Sequence, residues 1–257
     1  MIRKAIDRAR RDLVTPEMFV ARHGPDWKRR GIRPPVCPAC GEPLHLYGIH
    51  SVKAPAAFHH PDGSQCALSR SPDPRYAHLV PSDWDLAAGH RLKGRFCEKQ
   101  NLKEGYAACH ALCFGHLSAT EFLELCRRAD RKNVWSYKGI TLEVLPYILV
   151  TLMDFPVDET VNRSYPLRLV LQKRPREPID ALWLHPGECR LIPHFADEKG
   201  KRMTRLPERR IPDPEIERRR KDTGWISDAL LRKLRQCCVD RERQSRDAVT
   251  HPRHPRP

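Results

Sequence analysis

Apolar positions along the chain fall into short groups separated by charged and proline-rich segments. Residues 3–14 place Ile6, Ala9 and Leu13 on one stripe at helical spacing, which predicts a basic helix. The next element is punctuated at both ends. Thr15 stands as N-cap, Pro16 at the first helical position, Glu17 in the first turn and Gly24 as the stop, with Met18, Phe19 and Val20 as the inward side. Ser118 and Glu121 form a capping box that opens a helix to about Asp130, turning Phe122, Leu125, Cys126 and Ala129 inward. The most apolar stretch, Ile140 to Met153, is divided by Pro146 into two short pieces. Leu167 to Leu171 alternates with period two. Asp180 to Leu184 and Cys189 to Phe195 read as a β-hairpin turning through His185 and Glu188. Ile226, Leu230, Leu234 and Cys237 lie at helical spacing and predict an amphipathic helix over 226–239.

These elements predict an α+β architecture in four parts. They are a basic helical arm over 1–36, a small module over 37–68, a mixed helix-and-hairpin domain over 69–195, and a charged segment over 196–257 ending in a disordered tail from Asp240. The 24 prolines and 31% charged residues favour a modest core with loop-rich ends. The longest apolar run, Tyr147 to Met153, is too short to span a bilayer, and the first residues lack the apolar core of a secretory signal. Ten cysteines without such a signal point to a reducing, cytoplasmic setting, where metal ligation or burial is expected before a disulfide framework.

Charge sharpens the picture because of where it sits. Of the net +15, residues 1–36 carry +6 and residues 196–257 carry +7, leaving a nearly neutral centre. Arginine dominates the ends: Arg8, Arg10 and Arg11, then Arg29, Arg30 and Arg33, then Arg218, Arg219 and Arg220. A planar guanidinium fork suits phosphate oxygens, so these arms fit a polyanion, with nucleic acid (DNA or RNA) as the first candidate partner. The bland alternative is a pair of solvated tails.

The clearest chemistry lies in Cys37, Pro38, Ala39, Cys40 and Gly41, followed about 20 residues later by His59, His60 and Cys66. Two cysteines separated by two residues can present both sulfurs from one tight turn, and Gly41 sits where such a turn often needs positive φ. The intervening segment is long enough for a small hairpin, Leu44 to Tyr47 and Val52 to Phe58, that returns a second ligand pair. Cys37, Cys40, Cys66 and His60, with His59 as the alternative to His60, make a tetrahedral N/S set that favours zinc over magnesium or calcium. The module is expected to be a zinc ribbon or treble-clef-like unit. A redox cysteine pair is the competing reading, but it calls for a strand-to-helix junction in a βαβ context that the pattern lacks.

The string from Cys37 to Leu44, followed by Phe58, His59 and His60, resembles the zinc-finger region that opens the competence protein CoiA-like family, over roughly 30 of the 257 residues. In that family such a module precedes a nuclease domain of the PD-(D/E)xK type. The resemblance directs attention to Asp180, Glu188 and Arg190, with arginine where the motif has lysine. Arginine is a poor substitute for orienting an attacking water, and Glu188 has a simpler reading as a turn residue. An HNH-type nuclease is a further alternative, requiring histidines free of metal. The later asparagine and second cysteine pair of that fold are missing.

Cys109, Cys113 and His116 share one face if their stretch is helical, and with Cys97 could form a second metal site. Burial in a helix interior is the rival reading. The leading function from sequence is thus a non-enzymatic, zinc-stabilised nucleic-acid-binding protein in which Arg29, Arg30, Arg33 and the cluster of Arg218, Arg219 and Arg220 contact phosphates. A nuclease is the alternative, as is an adaptor that docks a protein partner through helix 226–239.

Overall fold

A computed structural model describes residues 2–49, 51, 54–73, 77, 79–174, 177–195 and 207–238. The chain begins with β1 (Ala5–Asp7), β2 (Asp12–Val14), α1 (Pro16–His23), β3 (His45–Tyr47) and β4 (Ala57–His59). Helices α2 (Leu86–Phe96), α3 (Lys99–Leu112), α4 (Ala119–Arg131) and α5 (Leu145–Leu149) follow. The remainder is β5 (Leu167–Gln172), α6 (Ala181–Leu184), β6 (Arg190–Phe195), β7 (Arg209–Arg210), α7 (Pro214–Lys221) and α8 (Asp228–Leu234). The fold is therefore α+β, with small antiparallel sheets. No helix among the described residues is long and apolar enough to cross a membrane.

Two compact units emerge. The first comprises Met1–Arg91, Ala129–Ile140 and Lys173–Pro186; the second comprises Leu92–Arg128, Thr141–Gln172 and the described part of Gly187–Pro257.

In the first unit the helix expected over 3–14 is instead a hairpin, in which β1 pairs antiparallel with β2 and Ala5 lies opposite Val14. Tertiary pairing overrides helical propensity here. Ile6 exchanges backbone hydrogen bonds with Val36 at 2.8 and 2.9 Å, and Ile2 does so with Phe58 at 3.2 and 2.9 Å. Arg11 takes φ of 55° to close the turn. Helix α1 forms as its punctuation predicts: the Thr15 side chain accepts from Met18 N, and Gly24 ends the helix at φ 78°. Its inward side is Phe19, whereas Met18 is exposed. Ile2, Ala5, Val14, Phe19, Trp27, Cys37, Leu44 and Phe58 form one hydrophobic cluster, so residues of the expected arm and of the expected module share a core.

In the second unit, β5 buries Leu167, Leu169 and Leu171 on alternate positions and pairs with β6, which in turn pairs with β7. The partner of 190–195 is thus 167–172. Residues 181–184 form a single helical turn rather than the first strand of a hairpin. The 140–153 stretch holds no long element: a turn at 142–144 leads into the five-residue α5, which begins next to Pro146. Pro146 sits in the first turn of α5, where its missing N–H has no helical acceptor to lose, and all five residues of that helix are buried. The Ser118 capping box closes reciprocally, with Ser118 N donating to Glu121 at 3.0 Å and Glu121 N donating to Ser118 Oγ at 3.2 Å. Fully buried Arg163 binds Glu121 and the His116 and Pro156 carbonyls, satisfying a charge that burial would otherwise make costly. The tail beyond Cys238, expected to be disordered, lies outside the described residues.

Candidate metal centre

Two turns deliver the ligands. Gly41 N donates to Cys37 O and Cys37 N to Glu42 O, both at 2.9 Å, closing a knuckle that Gly41 completes at φ 74°. Ala39 N points at Cys37 Sγ from 3.3 Å. Strands β3 and β4 pair with His45 opposite His59, and this hairpin returns the chain so that His60 emerges beside the first turn. The second knuckle repeats the pattern, with Leu68 N 3.5 Å from Cys66 Sγ. Ser64 joins the two turns by donating to Glu42 at 2.5 Å and accepting from Cys66 N at 3.3 Å. Asn133, distant in sequence, donates to Pro38 O at 2.9 Å and braces the first turn.

The result is a cluster of Cys37, Cys40, His60 and Cys66 whose ligand atoms all lie within 4.8 Å of one another. Cys37 Sγ is 3.8 Å from Cys66 Sγ, and Cys40 Sγ is 3.3 Å from His60 Nε2. A tetrahedral ion with metal–sulfur bonds of about 2.3 Å and a metal–nitrogen bond of about 2.0 Å has edges of about 3.5–3.8 Å. The cluster could hold such an ion. Its electrostatics point the same way. Hydrogen bonds from Cys37 and then Cys40 pull the Cys66 thiol far below its ordinary range. The Cys40 thiol is held up chiefly by Cys37, then by Cys66 and burial. The pull of Cys40 on Cys37 is outweighed by Cys66 and burial, which push Cys37 up to about 12. Without a cation only one of the three sulfurs carries charge readily; a bound divalent ion would let all three ionise. His60 is the histidine of the cluster, and its Nδ1 is buried without a hydrogen-bond partner. His59 lies outside it with its ring 4.9 Å from Tyr47.

The second set of candidate ligands is not brought together. Among the described residues no other group of three or more ligating side chains forms a candidate metal cluster. Helix α3 ends at Leu112, and Phe114 and Gly115 take φ of 57° and 85°, which carries His116 off the helical face that the spacing assumed. His116 Nδ1 instead meets Val161 O at 2.7 Å. Cys109 and Cys113 are buried, and burial pushes both thiols up. Cys97 is joined to Cys238 in a disulfide, a pairing that the cysteine spacing did not suggest.

The nuclease candidates fall in different settings. Asp180 is buried in the first unit, where its carboxylate accepts from Ser82 N and Ser82 Oγ. Glu188 is exposed in the second unit, and Arg190 there pairs with Glu208 at 3.1 Å. His60, which an HNH reading needs free, belongs to the cysteine cluster.

The arginines also divide. Arg8, Arg10 and Arg11 are exposed on the β1–β2 turn, and Arg33 is exposed beyond α1. Arg29 is exposed with an ion pair to Asp26 at 2.6 Å, and exposed Arg30 donates to His23 O at 3.0 Å. Arg218 is exposed; Arg219 pairs with Glu215 at 3.0 Å. Arg220 is buried against Glu104 at 3.1 Å and is not offered to a phosphate. Of the apolar stripe assigned to a partner, Ile226, Leu234 and Cys237 are buried in the second unit and Leu230 is half-buried.

No family model, curated protein or solved structure matches the chain.

Proposed function

We propose that the protein binds nucleic acid through phosphate contacts on a unit whose shape is set by a structural zinc ion. The observation that carries this reading is the shared core of the first unit. The hairpin displaying Arg8, Arg10 and Arg11 packs in the same hydrophobic cluster as Cys37 and Cys40. Three thiolates and one imidazole select zinc by softness and geometry, and a closed four-ligand set leaves no position for a reacting water. The ion's role is then structural, tying the two knuckles of the unit that carries exposed Arg8, Arg10, Arg11 and Arg33. Arg8, Arg10, Arg11 and Arg33, with Arg29 and Arg30, supply affinity with little sequence choice.

Salt-titrated binding of the metal-loaded chain to single- and double-stranded oligonucleotides tests the reading. Affinity should fall steeply with salt, with a slope of log K against log salt near −0.7 to −0.9 per phosphate contact. No binding at low salt would end it.

A further inference from the structure

The second unit holds a cavity of about 440 Å³, within the range of small-ligand pockets, lined in part by His110, Phe114, Arg209, Arg219, Asp222 and Trp225. Trp225 stands out on its wall. It is 46% exposed, although tryptophan is usually well covered. Its indole N–H donates to Asp222 O at 2.9 Å, and its ring packs on His110 at 4.9 Å and Tyr106 at 5.6 Å. A large apolar ring is thus held in place while partly open to solvent, which is the arrangement of a stacking platform.

The polar lining is balanced in charge. Arg209 is clamped by Asp213 and Glu215, both at 3.1 Å, and lies 5.4 Å over the Phe114 ring. Its Nε is buried without a hydrogen-bond partner. Arg219 binds Glu215 through Nε only, which leaves its terminal N–H groups to donate. Two arginines and two carboxylates, Glu215 and Asp222, on the lining, with Asp213 also paired to Arg209, make a poor trap for a phosphate-rich ligand. They make a good one for a flat heterocycle with donors on one edge and acceptors on another.

From these observations we infer that the cavity takes a guanine base, stacked against Trp225, with Asp222 accepting from its ring and exocyclic N–H groups and arginine donating to its carbonyl and ring nitrogen. Guanine alone among the common bases offers a paired donor edge to a carboxylate together with the O6 and N7 acceptors that arginine recognises. The inference goes beyond the phosphate reading and does not depend on it, because the base could belong to a free nucleotide or to a single strand.

Equilibrium dialysis of the full chain against GMP, AMP and CMP, and binding of a thymidine dodecamer with or without one central guanine, tests it. GMP should bind at least tenfold more tightly than AMP or CMP if the source is a free nucleotide. The guanine-bearing strand alone should gain affinity if the base is read within a chain. In either case Trp225→Ala should weaken binding about 5- to 150-fold, in line with the loss of one base–aromatic stack. Asp222→Asn should erase the preference for guanine. Arg219→Ala, at an exposed position, serves as a second variant should Trp225→Ala melt early. Failure of every guanine probe to outbind its counterpart, or guanine binding unchanged in both Trp225→Ala and Arg219→Ala, overturns the inference. Strand binding that depends on Arg8, Arg10 and Arg11 would survive that outcome. Conversely, GMP binding without any strand binding would sink the phosphate reading and leave this one standing.

Discussion

Cys40 Sγ and His60 Nε2 lie 3.3 Å apart across 20 residues of chain, bringing the first knuckle and the end of β4 to a common point. Cys40 is half-buried against the hydrophobic cluster of the first unit, whereas His60 is brought to the same point by the end of β4. If a zinc ion occupies that point, its binding free energy is folding free energy for the first unit. Cys40→Ser or His60→Ala should each abolish stoichiometric zinc and lower stability by about 3 kcal/mol or more, read by chelator-sensitive thermal unfolding. Cys126→Ala, at a buried cysteine outside the cluster, should leave metal content unchanged.

Acid should attack the first unit through Asp7. This buried carboxylate meets Arg22 and His23, both at 2.7 Å. Burial, the largest influence, pushes Asp7 up, but hydrogen bonds from His23, Arg22 and Ala9 N together hold it below its usual value. A carboxylate depressed in the folded state stabilises it above the unfolded value, about 3.9, and loses that contribution as pH falls through the folded value. Asp7→Asn should therefore cost about 3 kcal/mol at neutral pH, and less as the pH drops below about 4. Urea unfolding at several pH values reads both effects.

Within the arginine triplet over 218–220, the roles should separate. Arg220→Ala leaves Glu104 with Lys221 at 2.9 Å and Gln100 at 3.1 Å but removes a buried partner and its packing, and should cost about 1–3 kcal/mol. Arg218→Ala, at an exposed residue, should change stability by less than about 0.5 kcal/mol. Denaturant midpoints of the two variants make the comparison direct.

Gly105 interrupts an otherwise good helix former, and packing explains it. A Cβ there would come within 2.6 Å of the Phe96 ring. Gly105→Ala should destabilise by about 1–3 kcal/mol despite its better helix propensity, and Phe96→Leu should recover part of the loss. Thermal melts of the single and double variants check this.

Replacing Arg8, Arg10 and Arg11 together by alanine should leave zinc content and melting unchanged while reducing the salt slope of nucleic-acid binding by about 2–3. A slope equal to that of the parent chain would place the phosphate contacts elsewhere.

Local signals in the sequence carried far where the chemistry was local. Thr15, Pro16 and Gly24 bounded α1, Ser118 and Glu121 opened α4, and the spacing of Cys37, Cys40 and Cys66 named three members of the cluster. His60 could not be separated from His59 by spacing alone; the register of β4 decides which ring faces the knuckles. Where long-range pairing competed with local preference, the pattern misled. Residues 3–14 read as a helix because Ile6, Ala9 and Leu13 are helically spaced, but Val36 and Phe58 supply the hydrogen bonds that make Ile2 and Ile6 extended. The strand partner of 190–195 escapes a local pattern for the same reason, since β5 lies farther back in the chain than a hairpin allows. The role of Arg220 was hidden because only the fold brings Glu104 beneath it. The Cys97–Cys238 bond, spanning 141 residues, had no local signature at all.

Metal analysis of the purified, reduced chain tests the central claim most directly. The account predicts one zinc per chain, lost in Cys37→Ser and Cys66→Ser variants, and a first unit that unfolds when the ion is chelated. A chain with no bound zinc that stays folded with chelator present would contradict it.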